Sequence, residues 1–340
     1  MKHLGKFSLL LWLVLPVLLW WALRKVPLGA VLDTLSQVNP AGLLGLIMLD
    51  GLILLLFSSR AWLILRALGR QIHYLSLAAY RSSAFAVSYF TPGQQFGGEP
   101  LQVYWLQRRH QVDGGAAVTT VALDKLFEVL SNFTFLMVGV VVILRAGLLP
   151  DLSTIGPQAV GWLVLLFLMP SAYLLALWIG RYPLTWCISR LPVGLRNRLK
   201  IAALIGSLTL AERQASGLLQ RKPVTAVWLG LASGLIWLLS IAEYWLMVWV
   251  LGQELTLVQT ILALTAARLA FLTPLPGGLG ALEAGQVLAM QAIGLDPALG
   301  ISVSLLIRAR DVGLGLVGVG IGALLARQVN RVGVAAQTTD

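Results

Sequence analysis

Eleven ionisable side chains fall within apolar stretches of this sequence, and they are where its chemistry would have to reside. Seven of the 14 acids do so, Asp50, Glu99, Asp124, Glu128, Glu243, Glu283 and Asp311, against the bases Lys125, Arg268, Arg308 and Arg310. A charge at the centre of a bilayer costs at least ~2.5–3.5 kcal/mol on insertion scales, so such groups pair with one another or line a wet cavity. Asp124 and Glu128 lie one helical turn apart, with Lys125 beside them and three residues from Glu128. Stacked carboxylates in a low dielectric call for a shared cation or a retained proton, so Asp124, Lys125 and Glu128 are candidates for proton or ion coupling. Further on, Arg308, Asp311, Gly315, Gly318, Gly322 and Ala326 recur at intervals of three and four and share one helix face. The small residues Gly318-x-x-x-Gly322 let another helix approach, so that face should point inward and take Arg308 and Asp311 with it. Arg310 must point elsewhere. Any one of these charges could be a local ion pair that registers the fold, Arg308–Asp311 and Lys125–Glu128 included. As a set they favour function, because purely structural pairs can be replaced by apolar packing.

Two glycine-rich breaks stand next to these charges. The apolar stretch 75–106 is interrupted by Thr91-Pro92-Gly93-Gln94-Gln95-Phe96-Gly97-Gly98-Glu99-Pro100. The stretch 258–294 is interrupted by Thr273-Pro274-Leu275-Pro276-Gly277-Gly278-Leu279-Gly280-Ala281-Leu282-Glu283. Proline and clustered glycine end a helix, and unpaired backbone cannot face lipid, so each stretch reads as a re-entrant hairpin packed inside protein. The backbone amides of Thr91, Pro92, Gly93, Gly97 and Gly98, and of Thr273, Pro274, Pro276, Gly277, Gly278 and Gly280, save for the prolines, are candidates for a phosphate cradle with Arg268 and Arg308 nearby.

The elements that must position these groups are helices in a membrane. Of 340 residues, 58% are hydrophobic and only 11% charged, against roughly a quarter charged in soluble domains. The mean hydropathy is +0.84. Apolar runs long enough for a span of ~20 residues occur at 7–24, 40–59, 116–144, 159–180, 223–250 and 298–326. The expected fold is therefore an all-α polytopic membrane protein, a single integral domain over 1–340 with about six full spans and two re-entrant hairpins. The start of the chain resembles a signal peptide but has no small-residue cleavage site, and Trp20, Trp21 and Arg24 read as the interfacial anchor of a retained helix. With both termini cytoplasmic, 18 of the 25 basic residues, Arg60 and Arg81 among them, fall on the cytoplasmic side. That positive-inside bias accounts for the net charge of +11 without any nucleic-acid partner. The stretch 181–222 is a basic amphipathic connector, suited either to an anionic leaflet or to solvent. One cysteine, Cys187, excludes an internal disulfide, and His3, His73 and His110 form no metal-ligand pattern. No cofactor is expected.

The breaks also resemble each other. Each begins with an aromatic residue and Thr-Pro, runs through glycines to a glutamate, and is followed 25 residues later by a charge, Asp124 after Glu99 and Arg308 after Glu283. The repeat cores are 75–144 and 258–326. Three spans separate the breaks, so the two enter from opposite faces, which is the pattern of an inverted-topology repeat with a site near the midplane.

With Thr91-Pro92-Gly93 through Gly97-Gly98-Glu99-Pro100, Arg108-Arg109, and Pro276-Gly277-Gly278-Leu279-Gly280-x-x-Glu283, the sequence resembles the lysylphosphatidylglycerol synthetase transmembrane-region family. These are flippase-like integral membrane proteins of bacteria and archaea, and the resemblance spans about residues 5 to 330. It implies a helical bundle with two re-entrant hairpins, in a bacterial or archaeal cell membrane, that moves an aminoacylated or other lipid between leaflets. The sequence holds no counterpart of the soluble aminoacyl-transferase domain of full-length synthetases, so lysyl-lipid synthesis is not expected of it. Gln94-Gln95 replaces a more glycine-rich turn, which makes the first loop the looser match. The expected activity is translocation of an anionic or aminoacylated phospholipid or other lipid. In that reading Arg268, Arg308 and Arg310 meet a headgroup phosphate, and Glu99, Glu283 and Asp311 pair with them or with a cationic headgroup. The alternatives are an intramembrane enzyme with Glu99 or Glu283 as acid or base, and a secondary transporter of small anions. The expected partners are the lipid substrate and the bilayer, with a second copy of the chain and a separate lipid-modifying enzyme as further candidates.

Overall fold

A computed structural model describes residues 40–90, 97–145, 157–190, 199–273, 278 and 280–337. The expected first span, 7–24, and the Thr91-Pro92-Gly93 and Pro274, Pro276 and Gly277 portions of the breaks lie outside them. The described residues form helices and no strand: α1 (Pro40–Ala67), α2 (Tyr74–Phe90), α3 (Glu99–His110), α4 (Gly114–Arg145), α5 (Pro157–Trp178), α6 (Pro183–Ser189), α7 (Leu199–Arg221), α8 (Pro223–Val250), α9 (Leu257–Ala270), α10 (Ala281–Ala292) and α11 (Pro297–Gln337). Several open on proline, which is tolerated in a first turn because the N–H there has no intrahelical acceptor. Thr256 caps α9 with a capping box: its hydroxyl accepts from Gln259 N, and the Gln259 side chain accepts from Thr256 N.

The distribution of side chains is the inverse of a soluble protein's. Leu44, Ile47, Met48 and Leu52 on α1, Leu231, Leu235 and Leu238 on α8, and Leu316, Val317 and Leu324 on α11 are exposed, whereas Arg60, Asp124, Glu243, Arg308 and Asp311 are buried. An apolar exterior around a charged interior suits a bilayer. Among the described residues α1, α4, α8 and the Pro297–Gln328 part of α11 are each long and apolar enough to cross one. The 159–180 segment passes that test only as the Val164–Trp178 part of α5 joined to α6 across a 94° bend, for a fifth.

Three sets of contacts place the helices around the site. Helices α1 and α8 run antiparallel. Gly42 abuts Val250, Gly45 faces Leu246, and Arg60 Nη1 donates to Ser233 Oγ at 3.2 Å. In both broken segments the two halves fold back on each other. In α2–α3, Gly98 lies against the Ala84 carbonyl while Tyr80 and His110, further from the break, are 2.8 Å apart through Oη and Nε2. In α9–α10, Gly278 sits against Phe271, and Gln286 Nε2 reaches back to Ala263 O at 3.0 Å. The two units then exchange partners. The first half of each packs against the long helix of the other, α2 on α11 and α9 on α4. Glycine permits both crossings, Gly318 against the Ser82 carbonyl and Gly139 against Thr265.

The 181–222 connector is tied into this bundle through α7, which packs on α4 and α5. Its buried Glu212 accepts from Leu184 N and Thr185 N, both at 2.8 Å, and from the Tyr173 hydroxyl at 3.1 Å. It thereby satisfies backbone donors at the start of α6 that no helix bond can reach.

At the start of α4, Asp113 Oδ1 accepts from Ala116 N at 2.8 Å, an N-cap worth ~1 kcal/mol. This backbone bond, and then Arg70, hold the Asp113 carboxyl below its ordinary range. A depressed folded-state value stabilises above the unfolded carboxylate range and loses its contribution as pH falls through the depressed value. Asp113→Ala should therefore cost about 1 kcal/mol of stability in detergent at neutral pH. The difference from wild type should shrink in thermal melts taken at progressively lower pH.

Candidate functional site: a charged cavity between two broken helices

The glutamates that follow the glycines do the same job twice. Glu99, first in α3, accepts from Gly97 N at 2.8 Å and pairs with Lys125 of α4 at 3.2 Å. Glu283, in the first turn of α10, accepts from Gly280 N at 2.9 Å. It also accepts two bonds from Arg308 of α11, Nε at 2.5 Å and Nη2 at 2.8 Å. Each carboxylate thus quiets an amide that has no helix partner and fastens the turn to a base on the next long helix. Gly280 has φ +81°, a backbone conformation in which any Cβ would be strained.

Around the first unit the charges form a lattice. Arg60 Nε donates to Asp124 Oδ1 at 2.7 Å, Arg81 bridges Asp124 and Glu128 through its two terminal nitrogens, and Lys125 Nζ pairs with Glu128 at 2.7 Å. The stacked carboxylates do have a shared cation, and it is Arg81. Around the second unit Arg310 pairs with Glu243 of α8 and with its neighbour Asp311, the latter at 2.7 Å. The α1–α8 register puts Asp50 opposite Glu243, carboxyl to carboxyl.

Between the two lattices lies a cavity of about 220 Å³. Its charged lining comes from six helices: Asp50 of α1, Arg81 of α2, Glu128 of α4, Glu243 of α8, Arg268 of α9, and Arg310 and Asp311 of α11. A smaller cavity of about 80 Å³, lined by Glu99, Asp124 and Lys125, shares Arg81, Phe85 and Glu128 with it. Arg268 stacks over Trp237 at 4.9 Å, and Trp237 stacks in turn on Phe135 at 4.0 Å. A water occupies roughly 30 Å³ of liquid, so the larger cavity has room for a few waters or one polar group.

The overall sequence pattern agrees with this architecture. The pattern of the "Lysylphosphatidylglycerol synthase TM region" family matches residues 8–318. The chain belongs to this family. A relative within reach is a UPF0104 membrane protein of Methanothermobacter thermautotrophicus, 26% identical over 279 residues, covering 79% of this chain and 81% of the relative. No solved structure matches. Membership in the lysylphosphatidylglycerol synthase transmembrane-region family accords with the membrane location that the helices indicate.

The structure brings Asp124, Lys125 and Glu128 together with Glu99, and Arg268, Arg310 and Asp311 onto one cavity. Glu283 and Arg308 close on each other and are not among the residues that line it. Gly97 and Gly98 lie at the start of α3, and Thr273, Gly278 and Gly280 lie between α9 and α10. Two readings are corrected. Asp311 pairs with Arg310, and the expected local pair with Arg308 is replaced by Arg308–Glu283. Arg60 and Arg81, read as flanking charges, point into the bundle onto Asp124, Arg60 being only 1% exposed. Asp50 and Glu243 face each other across the α1–α8 contact. A charge at the edge of an apolar run looks like an interfacial anchor, so nothing local marks Arg60. Arg81 carried a usable signal, since it lies within the 75–90 apolar half rather than at its end.

Removing one partner of a buried ion pair costs ~3–5 kcal/mol because the other charge is left behind. Arg60→Met is therefore expected to lower stability by about 3 kcal/mol or more. Arg70→Met, whose pair with Asp113 is solvent-exposed, should cost about 1 kcal/mol or less. Thermal unfolding of both variants in one detergent gives the comparison.

Proposed function

We propose that this protein is a lipid translocase of the flippase type, in which the two broken segments are re-entrant hairpins of an inverted repeat. A phospholipid headgroup passes between leaflets through the cavity they share. The observation that carries this reading is the cavity itself: it is lined by charges from both units and lies among helices whose outer faces are apolar. At about 220 Å³ it is smaller than the ~300–1,000 Å³ of pockets that enclose whole drug-sized ligands. A headgroup fits, and the acyl chains stay in lipid, where their transfer costs nothing.

In this mechanism the cavity replaces the hydration a headgroup loses at the midplane. Arg268 and Arg310 meet the phosphate, and Asp311 and Glu243 hold Arg310 in place. The Glu99–Lys125 and Glu283–Arg308 pairs fasten each glycine turn to its long helix, so that each hairpin moves with that helix. Asp124 and Glu128, already bridged by Arg81, form a wall, and a coupling proton reaching them would have to release an arginine. The exchanged packing of α2 on α11 and α9 on α4 supplies the surfaces on which one unit rocks against the other. Transport of a small free anion draws on the same arginines and is separated by its indifference to lipid.

The test is translocation of fluorescent phospholipids in proteoliposomes, read by dithionite quenching. Wild type should speed movement relative to protein-free vesicles. Arg310→Met and the cavity-filling Ser131→Phe should each slow it about tenfold or more, the order of one charged hydrogen bond. Equal rates with and without monodisperse wild-type protein, or variants as fast as wild type, contradict the proposal. Uptake of labelled phosphate without lipid movement contradicts it in favour of the anion transporter.

A further inference from the structure

Among the described residues the charges around the broken segments balance in all but one place. Around the first unit the bases Arg60, Arg81 and Lys125 meet the acids Asp124, Glu128 and Glu99, and Glu283 is matched by Arg308. The second lattice holds three acids, Asp50, Glu243 and Asp311, on the same cavity as two bases, Arg268 and Arg310. Arg310 serves Glu243 and Asp311, and Asp50 is hydrogen-bonded to Glu243. Ionised carboxylates only accept hydrogen bonds, so this one exists only while one of the two acids carries a proton. A single proton also brings the lattice to neutrality, the state favoured where water does not solvate charge. Arg268 stands across the same cavity, and its Nε is buried with no acceptor among the described residues.

We infer that the Asp50–Glu243 pair is an exchangeable proton site, and that its proton binds together with an anion of the phosphate class seated on Arg268. The coupling is electrostatic. The charges that face the pair are Arg310 and Asp311 of α11, Arg268 of α9, Arg81 of α2 and Glu128 of α4, all on the wall of one cavity. An anion on Arg268 adds negative charge to this wall and so makes the proton harder to lose. By reciprocity the proton raises the affinity for the anion by the same factor. When it leaves, it passes from the shared hydrogen bond to water in the cavity, and Asp50 and Glu243 remain as adjacent like charges. The pair suits exchange where Asp124 and Glu128 do not, because Arg81 already bridges those two and a proton arriving there would have to displace it. That the anion belongs to a lipid rests on the translocase reading; the proton site does not.

The experiment joins infrared difference spectroscopy to a binding titration, both on the purified full chain in detergent. The spectrum reports the carbonyl stretch of a protonated carboxylic acid, which a carboxylate lacks. Wild type should show a band of this kind that disappears between neutral and alkaline pH. Asp50→Asn and Glu243→Gln should each lack it, since either change removes the surplus acid. No such band in wild type, or its survival in either variant, overturns the inference. In the titration Trp237, stacked on Arg268 at 4.9 Å, reports the binding of dihexanoyl phosphatidylglycerol and of sulfate, neither of which titrates in that range. Affinity for the lipid should fall by up to about tenfold per pH unit as the band is lost, the limit for one linked proton. In Asp50→Asn, the isostere of the protonated acid, it should keep the neutral-pH value throughout, and Arg268→Gln should weaken it at every pH. Wild-type affinity independent of pH, or Arg268→Gln binding as tightly as wild type, overturns the inference even if lipid moves in vesicles and the translocase reading stands. If sulfate binds as tightly as the lipid with the same pH dependence, and no lipid moves, the proton site stands and the translocase reading falls.

Discussion

The cost of holding charge away from water is the constraint from which the arrangement of this protein follows. Lipid offers no solvation, so each buried acid or base must find an opposite charge, a backbone donor or a polar cavity. The partners come almost entirely from other helices: Arg60 and Arg81 from α1 and α2 on Asp124 of α4, Lys125 of α4 on Glu99 of α3, Arg310 of α11 on Glu243 of α8. Apolar contact between helices in lipid is weakly directional, since lipid tails are as apolar as leucine. The ion pairs therefore fix relative positions that packing alone would leave loose.

A second consequence concerns the two broken segments. Ending a helix inside apolar surroundings leaves amides without acceptors, and here a glutamate placed just after the glycines supplies one in both halves of the chain. The same carboxylate also pairs with a base on the following long helix, which ties the turn to α4 or α11. Glycine serves a complementary purpose. At Gly139 and Gly318 a side chain would meet the helix of the other unit, and at Gly98 it would meet α2 of its own, so glycine serves both the crossings that join the units and the fold-back of the first segment. These contacts hold each unit together, while the cavity between them is bounded by side chains of both.

Much of this was legible in the sequence, for identifiable reasons. Apolar runs report helices directly when the solvent is lipid, and α1, α4, α8 and α11 coincide with runs read at 40–59, 116–144, 223–250 and 298–326. The breaks were visible because proline and glycine act locally. The inward face of α11 was readable from helical spacing, and Arg308, Asp311, Gly315, Gly318 and Gly322 are all buried. Pairing across helices was harder to read. Asp50 and Glu243 are nearly two hundred residues apart and meet only because α1 and α8 pack antiparallel in one register. Arg60 ends an apolar run and so imitates a boundary, although its helix continues to Ala67. The order of pairing around Arg308 and Arg310 depended on which neighbour each face met, information that spacing along one helix does not contain.

The central claim is that the interior between the two units is a water-filled polar cavity within a lipid-facing shell. Cysteine accessibility tests it most directly, because the sequence has a single cysteine, Cys187, that a Cys187→Ser background removes. In intact membranes, Ser131→Cys, on the cavity wall, should react with a small membrane-impermeant thiol reagent. Val141→Cys, exposed on the same helix, should not, since its surroundings are hydrocarbon. Protection of Ser131→Cys equal to that of Val141→Cys would mean that the charges are sealed in dry ion pairs, and would contradict the account.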